Sequence, residues 1–233
     1  MSRMQQVALL RCPHCTSELE GLSEDVLFFC TECGRAWTLE EELVRTPITI
    51  LGVPASGTLL LPFWLARASV GVSQRITRRR SISAAISASR HFTAHEERGL
   101  QETGGHQGTE SFIIPAFACT RALSIAVALK RNPPPLRRAQ LDSYPPVVGG
   151  SVSPADAIAL AHAVAVGAEV EEKDFLASVD VELEPKDVSV LAIVCPAGKL
   201  GFQIDDTGVP VTYESMEDAA DILAHNGMEG FLT

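Results

Sequence analysis

The chain has 233 residues, 46% hydrophobic and 21% charged, which is enough apolar material to bury a real core in one or two domains. That balance excludes a fibrous or globally disordered polypeptide. Nineteen Lys and Arg against 29 Asp and Glu leave a formal charge of -10, which argues against a protein whose whole surface tracks nucleic acid.

Met1 to Gln6 carries Arg3 but no following apolar run long enough for a signal-peptide core, so the expectation is a cytoplasmic protein. Val7 to Leu10 is the first strand expected. Cys12-Pro13-His14-Cys15 follows, then fourteen intervening residues, then Cys30-Thr31-Glu32-Cys33-Gly34. Two Cys-x-x-Cys pairs at this separation read as a metal site in a reducing compartment, close to the spacing of a four-cysteine zinc site. Each pair aims two thiolates at one point, and Gly34 permits a tight turn while its amide approaches a sulfur. Four thiolates close a tetrahedral shell and leave no position for water or substrate, so such a site stabilises and does not catalyse.

With these knuckles the segment from about residue 7 to 40 resembles the zinc-ribbon family. The resemblance implies a small β-hairpin domain with Cys12, Cys15, Cys30 and Cys33 as zinc ligands. Members of that family serve nucleic-acid binding, transcription or translation machinery, and plain protein contacts. One departure is Thr16, which stands where the first knuckle often has glycine. Rubredoxin-type knuckles look similar and bind iron, and four thiolates suit either metal. Glu18, Glu20, Glu24, Asp25, Glu32 and Glu40 to Glu42 surround the site with negative charge, which favours a structural or protein-contact role over nucleic acid.

Val26 to Phe29 reads as a strand. The longest uncharged stretch, Thr46 to Ala66, is broken by Pro47, Gly52, Pro54, Gly57 and Pro62; two strands, Ile48 to Leu51 and Leu59 to Leu65, explain it better than a membrane span. Domain boundaries are expected at 1–45 for the ribbon and 46–233 for the remainder. Net charge is -4 over residues 1–66, +8 over 67–140 and -14 over 141–233. The simplest account is attraction between the basic middle and the acidic end, within one fold or between copies. Arg75, Arg78, Arg79 and Arg80 are candidate partner or phosphate contacts in a mobile basic segment near 75–110. From Ser81 to Gly108 few large apolar residues offer anchorage, predicting a long loop or a marginal helix around Ile82 to Phe92.

Phe112 to Phe117 is the next strand. Thr120 to Arg131 has helical spacing, with Lys130 and Arg131 suiting its last turn and Pro133 to Pro135 ending it. Ser153, Pro154 and Asp156 start a helix running to about Val166 or Gly167. Strands are expected at Ser178 to Leu183, Val188 to Val194 and Gly201 to Asp205, the last joined through Gly208 to Val209 to Tyr213 as a hairpin. Ser215 with Glu217 and Asp218 marks the final helix. The class is therefore α+β: an N-terminal zinc ribbon followed by a mixed, mostly antiparallel α+β domain.

Thr58-Leu59-Leu60-Leu61-Pro62-Phe63-Trp64 is echoed by Ser111-Phe112-Ile113-Ile114-Pro115-Ala116-Phe117, and more loosely by Leu191 to Pro196. The first two read as equivalent strand ends, or as two buried strands that each stop at proline. Phe63, Trp64 and Phe117 would anchor a partner if exposed and belong to the core otherwise. His91 and His95 are four apart with Glu96, Glu97 and His106 nearby but do not form His-Glu-x-x-His; His162 reads as a hydrogen-bonded core histidine, and His225 suits a helix end. Cys119 and Cys195 have no base beside them in sequence, and Gly149-Gly150 lacks the residues of a phosphate loop. These readings point to a non-catalytic zinc-binding adaptor or complex subunit with other proteins as partners. The alternative is a nucleic-acid-binding accessory factor using the ribbon and the arginines.

Overall fold

In a computed structural model, residues 10–19, 21–55, 57–78, 100–103, 105–135, 137–139, 144–170, 175–204, 207–217 and 219–225 are described. Among them a small sheet holds β1 (Leu27–Cys30), β2 (Arg35–Leu39) and β3 (Leu43–Thr46), antiparallel in that order. A larger sheet contains β4 (Ile48–Leu51), β5 (Thr58–Arg78), β6 (Leu100–Thr103), β7 (Gln107–Pro115), β8 (Phe175–Gly198), β9 (Gly201–Ile204) and β10 (Val209–Thr212). Three helices complete the described fold: α1 (Ala122–Arg131), α2 (Pro154–Val170) and α3 (Ala219–His225). The class is α+β with mostly antiparallel pairing; β4 alone runs parallel, beside β8.

The spine is the antiparallel pair β5 and β8, joined from Thr58 opposite Pro196 to Arg78 opposite Phe175. The two strands expected at Ser178 to Leu183 and Val188 to Val194 are one, because a β-bulge at Lys186 carries the chain past Pro185. Val179, Val181 and Leu183 before the bulge, and Val188 and Val190 after it, pack in the same core. Strict alternation would send these two sets to opposite faces; the skipped residue restores one face. A second irregularity at Ser73 does the same on β5, so Val70, Val72 and Arg75 are all buried.

One face of the sheet buries Leu59, Leu61, Phe63, Leu191, Ile193 and Cys195 against β9, β10 and α3. The other buries Trp64, Ala66, Phe112 and Ile114 against Ala157, Ala161, Val164 and Ala165 of α2. Phe63, Trp64 and Phe117 are therefore core side chains, and the Trp64 indole N–H donates to the Val152 carbonyl at 2.8 Å. Ser153 caps α2 as its sequence predicts, accepting the Asp156 N–H at 3.1 Å while donating to the Asp156 carboxylate at 2.7 Å.

Several boundaries move. β5 does not stop near Pro62 but continues to Arg78; it is β7 that ends, at Pro115 opposite Phe63, so the echoed segments lie side by side. Leu100–Thr103 and Gln107–Pro115 are strands inside or at the border of the expected loop, since pairing with β5 supplies the order their weak apolar content does not. α2 runs on to Val170. Ser215 ends a 3₁₀ turn, its hydroxyl donating to the Thr212 carbonyl at 2.7 Å, and α3 begins only at Ala219. The expected strand at Val7 to Leu10 and the marginal helix at Ile82 to Phe92 fall wholly or largely outside the described residues, as do His91 and His95. No described helix is long and apolar enough to cross a membrane.

Candidate metal centre

Cys12 and Cys15 flank a tight turn before β1, Cys30 is the last residue of β1, and Cys33 sits in the turn leading to β2. The four Sγ atoms lie within 4.8 Å of one another. The two knuckles interleave: Cys12 Sγ is 3.7 Å from Cys33 Sγ, and Cys15 Sγ is 3.4 Å from Cys30 Sγ. A tetrahedron of sulfurs at the ~2.3 Å zinc–thiolate bond length has edges of ~3.8 Å, so these donors are close enough to hold a metal ion.

Cys12 and Cys30 are buried and pack with Leu19, Phe28 and Trp37. The Trp37 indole N–H is buried without a hydrogen-bond partner. As thiols, Cys15, Cys30 and Cys33 are unequal. Hydrogen bonding with the Ser17 hydroxyl, 3.4 Å away, and then with its backbone brings Cys15 down to about 6, whereas burial pushes Cys33 up to about 12 and Cys30 upward as well. Backbone N–H groups approach the sulfurs in matching places, Ser17 at Cys15 and Arg35 at Cys33. The amide expected at Gly34 thus belongs to Arg35, one residue further; the Gly34 N–H bonds the Cys30 carbonyl at 2.8 Å.

Of the four candidate arginines, Arg75 is the one whose side chain is described. Arg75 is 6% exposed; its Nε donates to Glu169 Oε2 at 2.9 Å and its Nη2 to the Glu169 carbonyl at 3.2 Å. The Arg78 side chain, Arg79 and Arg80 lie outside the described residues. His106 Nε2 stands 3.7 Å from Glu169 Oε1. His162 is exposed rather than core, yet bonded to the Val181 carbonyl at 2.8 Å. Cys195 is buried and Cys119 partly so.

Sequence reasoning passed over Ser17 and Tyr144. Ser17 stands two residues past Cys15, as Arg35 does past Cys33, and that symmetry was the available clue. Tyr144, distant in sequence, packs edge-on against Phe29 at 5.2 Å and closes over Gly34. In comparisons with known proteins, no family model matches the chain, and neither does any curated protein or solved structure. The likeness to a zinc ribbon rests on the cysteine geometry itself.

Proposed function

We propose that this protein is a zinc-binding, non-catalytic adaptor or subunit of a protein complex, working in the cytoplasm through protein–protein contacts. The observation that carries this reading is the four-thiol shell: with every tetrahedral position taken by cysteine, a zinc ion has nowhere to bind water or substrate. Among the described residues no second group of His, Cys, Asp or Glu is placed to hold a metal. Acidic residues around the ribbon and the opposed charges of the middle and C-terminal parts favour assembly with proteins over nucleic acid. Engagement of Arg75 by Glu169 removes one of the four arginines on which the nucleic-acid reading leaned.

The test is purification of the native protein at low salt, with mass spectrometry of what accompanies it and elemental analysis of the metal, beside a nuclease-treated aliquot. Zinc near one equivalent with nuclease-resistant protein partners supports the proposal. Co-purifying nucleic acid, with partners lost after nuclease, overturns it; iron in place of zinc overturns the metal assignment.

A further inference from the structure

The ribbon's first strand is shared between two bodies. One edge of β1 pairs with β2; at the other, the Leu27 N–H donates to the Gly150 carbonyl at 2.8 Å and the Gly150 N–H returns to the Leu27 carbonyl at 3.1 Å. Leu27 and Ala36 do not join Cys12 and Trp37 in the ribbon's cluster but pack with Trp64 and Ala157 beneath α2. The fit is tight: a Cβ on Gly149 would stand 1.9 Å from the Asp25 carboxylate, and one on Gly34 1.9 Å from the Tyr144 hydroxyl.

The segment 144–153 that grips the ribbon is itself woven into the large sheet. The Leu60 N–H donates to the Pro146 carbonyl at 2.9 Å, and the Val148 N–H to the Leu60 carbonyl at 3.0 Å. Farther on, the Val152 N–H reaches the Ala116 carbonyl at 2.9 Å, and the segment ends at Ser153, the cap of α2. Cys30 therefore lies three residues along β1 from the Leu27–Gly150 pair, and Cys33 next to Gly34, over which Tyr144 closes, so both are close in the chain to contacts with a strip that leads to the start of α2. Side chains of β9, β10 and α3 contribute to the core on the opposite face of the sheet, which Val148 alone of the strip also enters.

We propose that metal occupancy is a conformational control on the large domain: the ion, by fixing Cys30 and Cys33, holds 144–153 and the first turns of α2 in place, and its removal loosens that strip while β9, β10 and α3 keep their structure. The proposal rests on reading the four cysteines as a metal site. Coupling of this kind is reciprocal, so residues of the strip contribute to metal affinity although none is a ligand.

The experiment is hydrogen–deuterium exchange on the full chain, zinc-loaded and then stripped with a strong chelator, with zinc content measured in both states. Faster exchange in 10–46 and also in 144–160, with 200–225 unchanged, is the expected result. A change confined to 10–46, or one equally large in 200–225, overturns the proposal. Tyr144→Ala and Gly149→Ala leave all four thiols intact; zinc affinity at least tenfold weaker in either, by competition with a chromophoric chelator, supports the coupling, and unchanged affinity in both overturns it. A chain that takes up no metal refutes the metal-site reading itself, which the zinc content shows before exchange is measured.

Discussion

Thr16 and Gly34 occupy the same place in the two knuckles. Each follows the second cysteine of its pair, with φ of 65° and 66°, and each donates its N–H to the carbonyl of the pair's first cysteine, at 2.9 and 2.8 Å. A β-branched residue in this left-handed region carries strain of about 1–2 kcal/mol that glycine does not. Thr16→Gly is therefore expected to stabilise the metal-loaded protein by about 1 kcal/mol in urea denaturation. Gly34→Ala acts oppositely, adding strain and a Cβ against the Tyr144 hydroxyl. A Thr16→Gly variant less stable than the parent would refute the equivalence.

Metal affinity follows pH through the thiols. At neutral pH Cys15, lowered to about 6, is already a thiolate, while Cys33, raised to about 12, and Cys30, also raised, hold protons that a metal must displace. Protons compete with the ion, so affinity falls as pH falls and climbs as it rises. Release of the protons on Cys30 and Cys33 alone contributes about a hundredfold gain per pH unit near pH 7. Ser17→Ala removes the hydroxyl that keeps Cys15 ionised and should steepen the fall below neutrality. Chelator competition between pH 6 and 8 reads both; a flat profile contradicts them.

Arg75 and Glu169 form a buried pair with side chains 7% and 11% exposed. Leaving either charge alone in the core is the costly case, at ~3–5 kcal/mol, whereas replacing both with apolar residues comes near neutral. Arg75→Met and Glu169→Gln should each lower the thermal midpoint more than the double variant Arg75→Met/Glu169→Leu does. If the double variant is the least stable of the three, the pair is not the unit described.

Lys186 matters by its presence and not by its side chain. Lys186→Ala should change stability by less than about 1 kcal/mol, since it removes one exposed contact with the Thr109 hydroxyl. Deleting the residue should prevent a cooperative native state, because Val179, Val181 and Leu183 could no longer share a face with Val188 and Val190. Circular dichroism and a denaturation curve separate the two variants, and a deletion that folds normally defeats the argument.

The legible parts of the sequence were those where chemistry is local. The cysteine spacing gave the donor set, Ser153-Pro154 with Asp156 gave the start of α2, and Gly208 gave the turn between β9 and β10. What stayed hidden depends on partners far along the chain. Pro185 and charged neighbours look like a break, yet β8 crosses them because Arg67 and Ala68 of β5 absorb the extra residue. Arg75 looked like surface because nothing near it in sequence announces Glu169, and Tyr144 has no local mark of its place over Gly34. Leu100–Thr103 and Leu43–Thr46 are too short and polar to declare themselves without the strand each pairs with.

The long β5–β8 pair also sets the order in which the molecule can be made. Ser73 and Asp180, which share a hydrogen bond across the pair, are 107 residues apart, so β5 has no β8 to meet until late in synthesis. The four cysteines and β1 to β3 lie within residues 12–46 and can come together early, before Tyr144 and Gly150 arrive to complete their outer contacts. Leu59 to Trp64, all but one of them fully buried apolar side chains in the finished fold, face Cys195 to Val190, so at typical elongation rates they wait roughly 6 to 27 s on the nascent chain without their principal partner. Such non-local pairing is intrinsically slow, and until the central sheet closes these apolar side chains are open to misassociation.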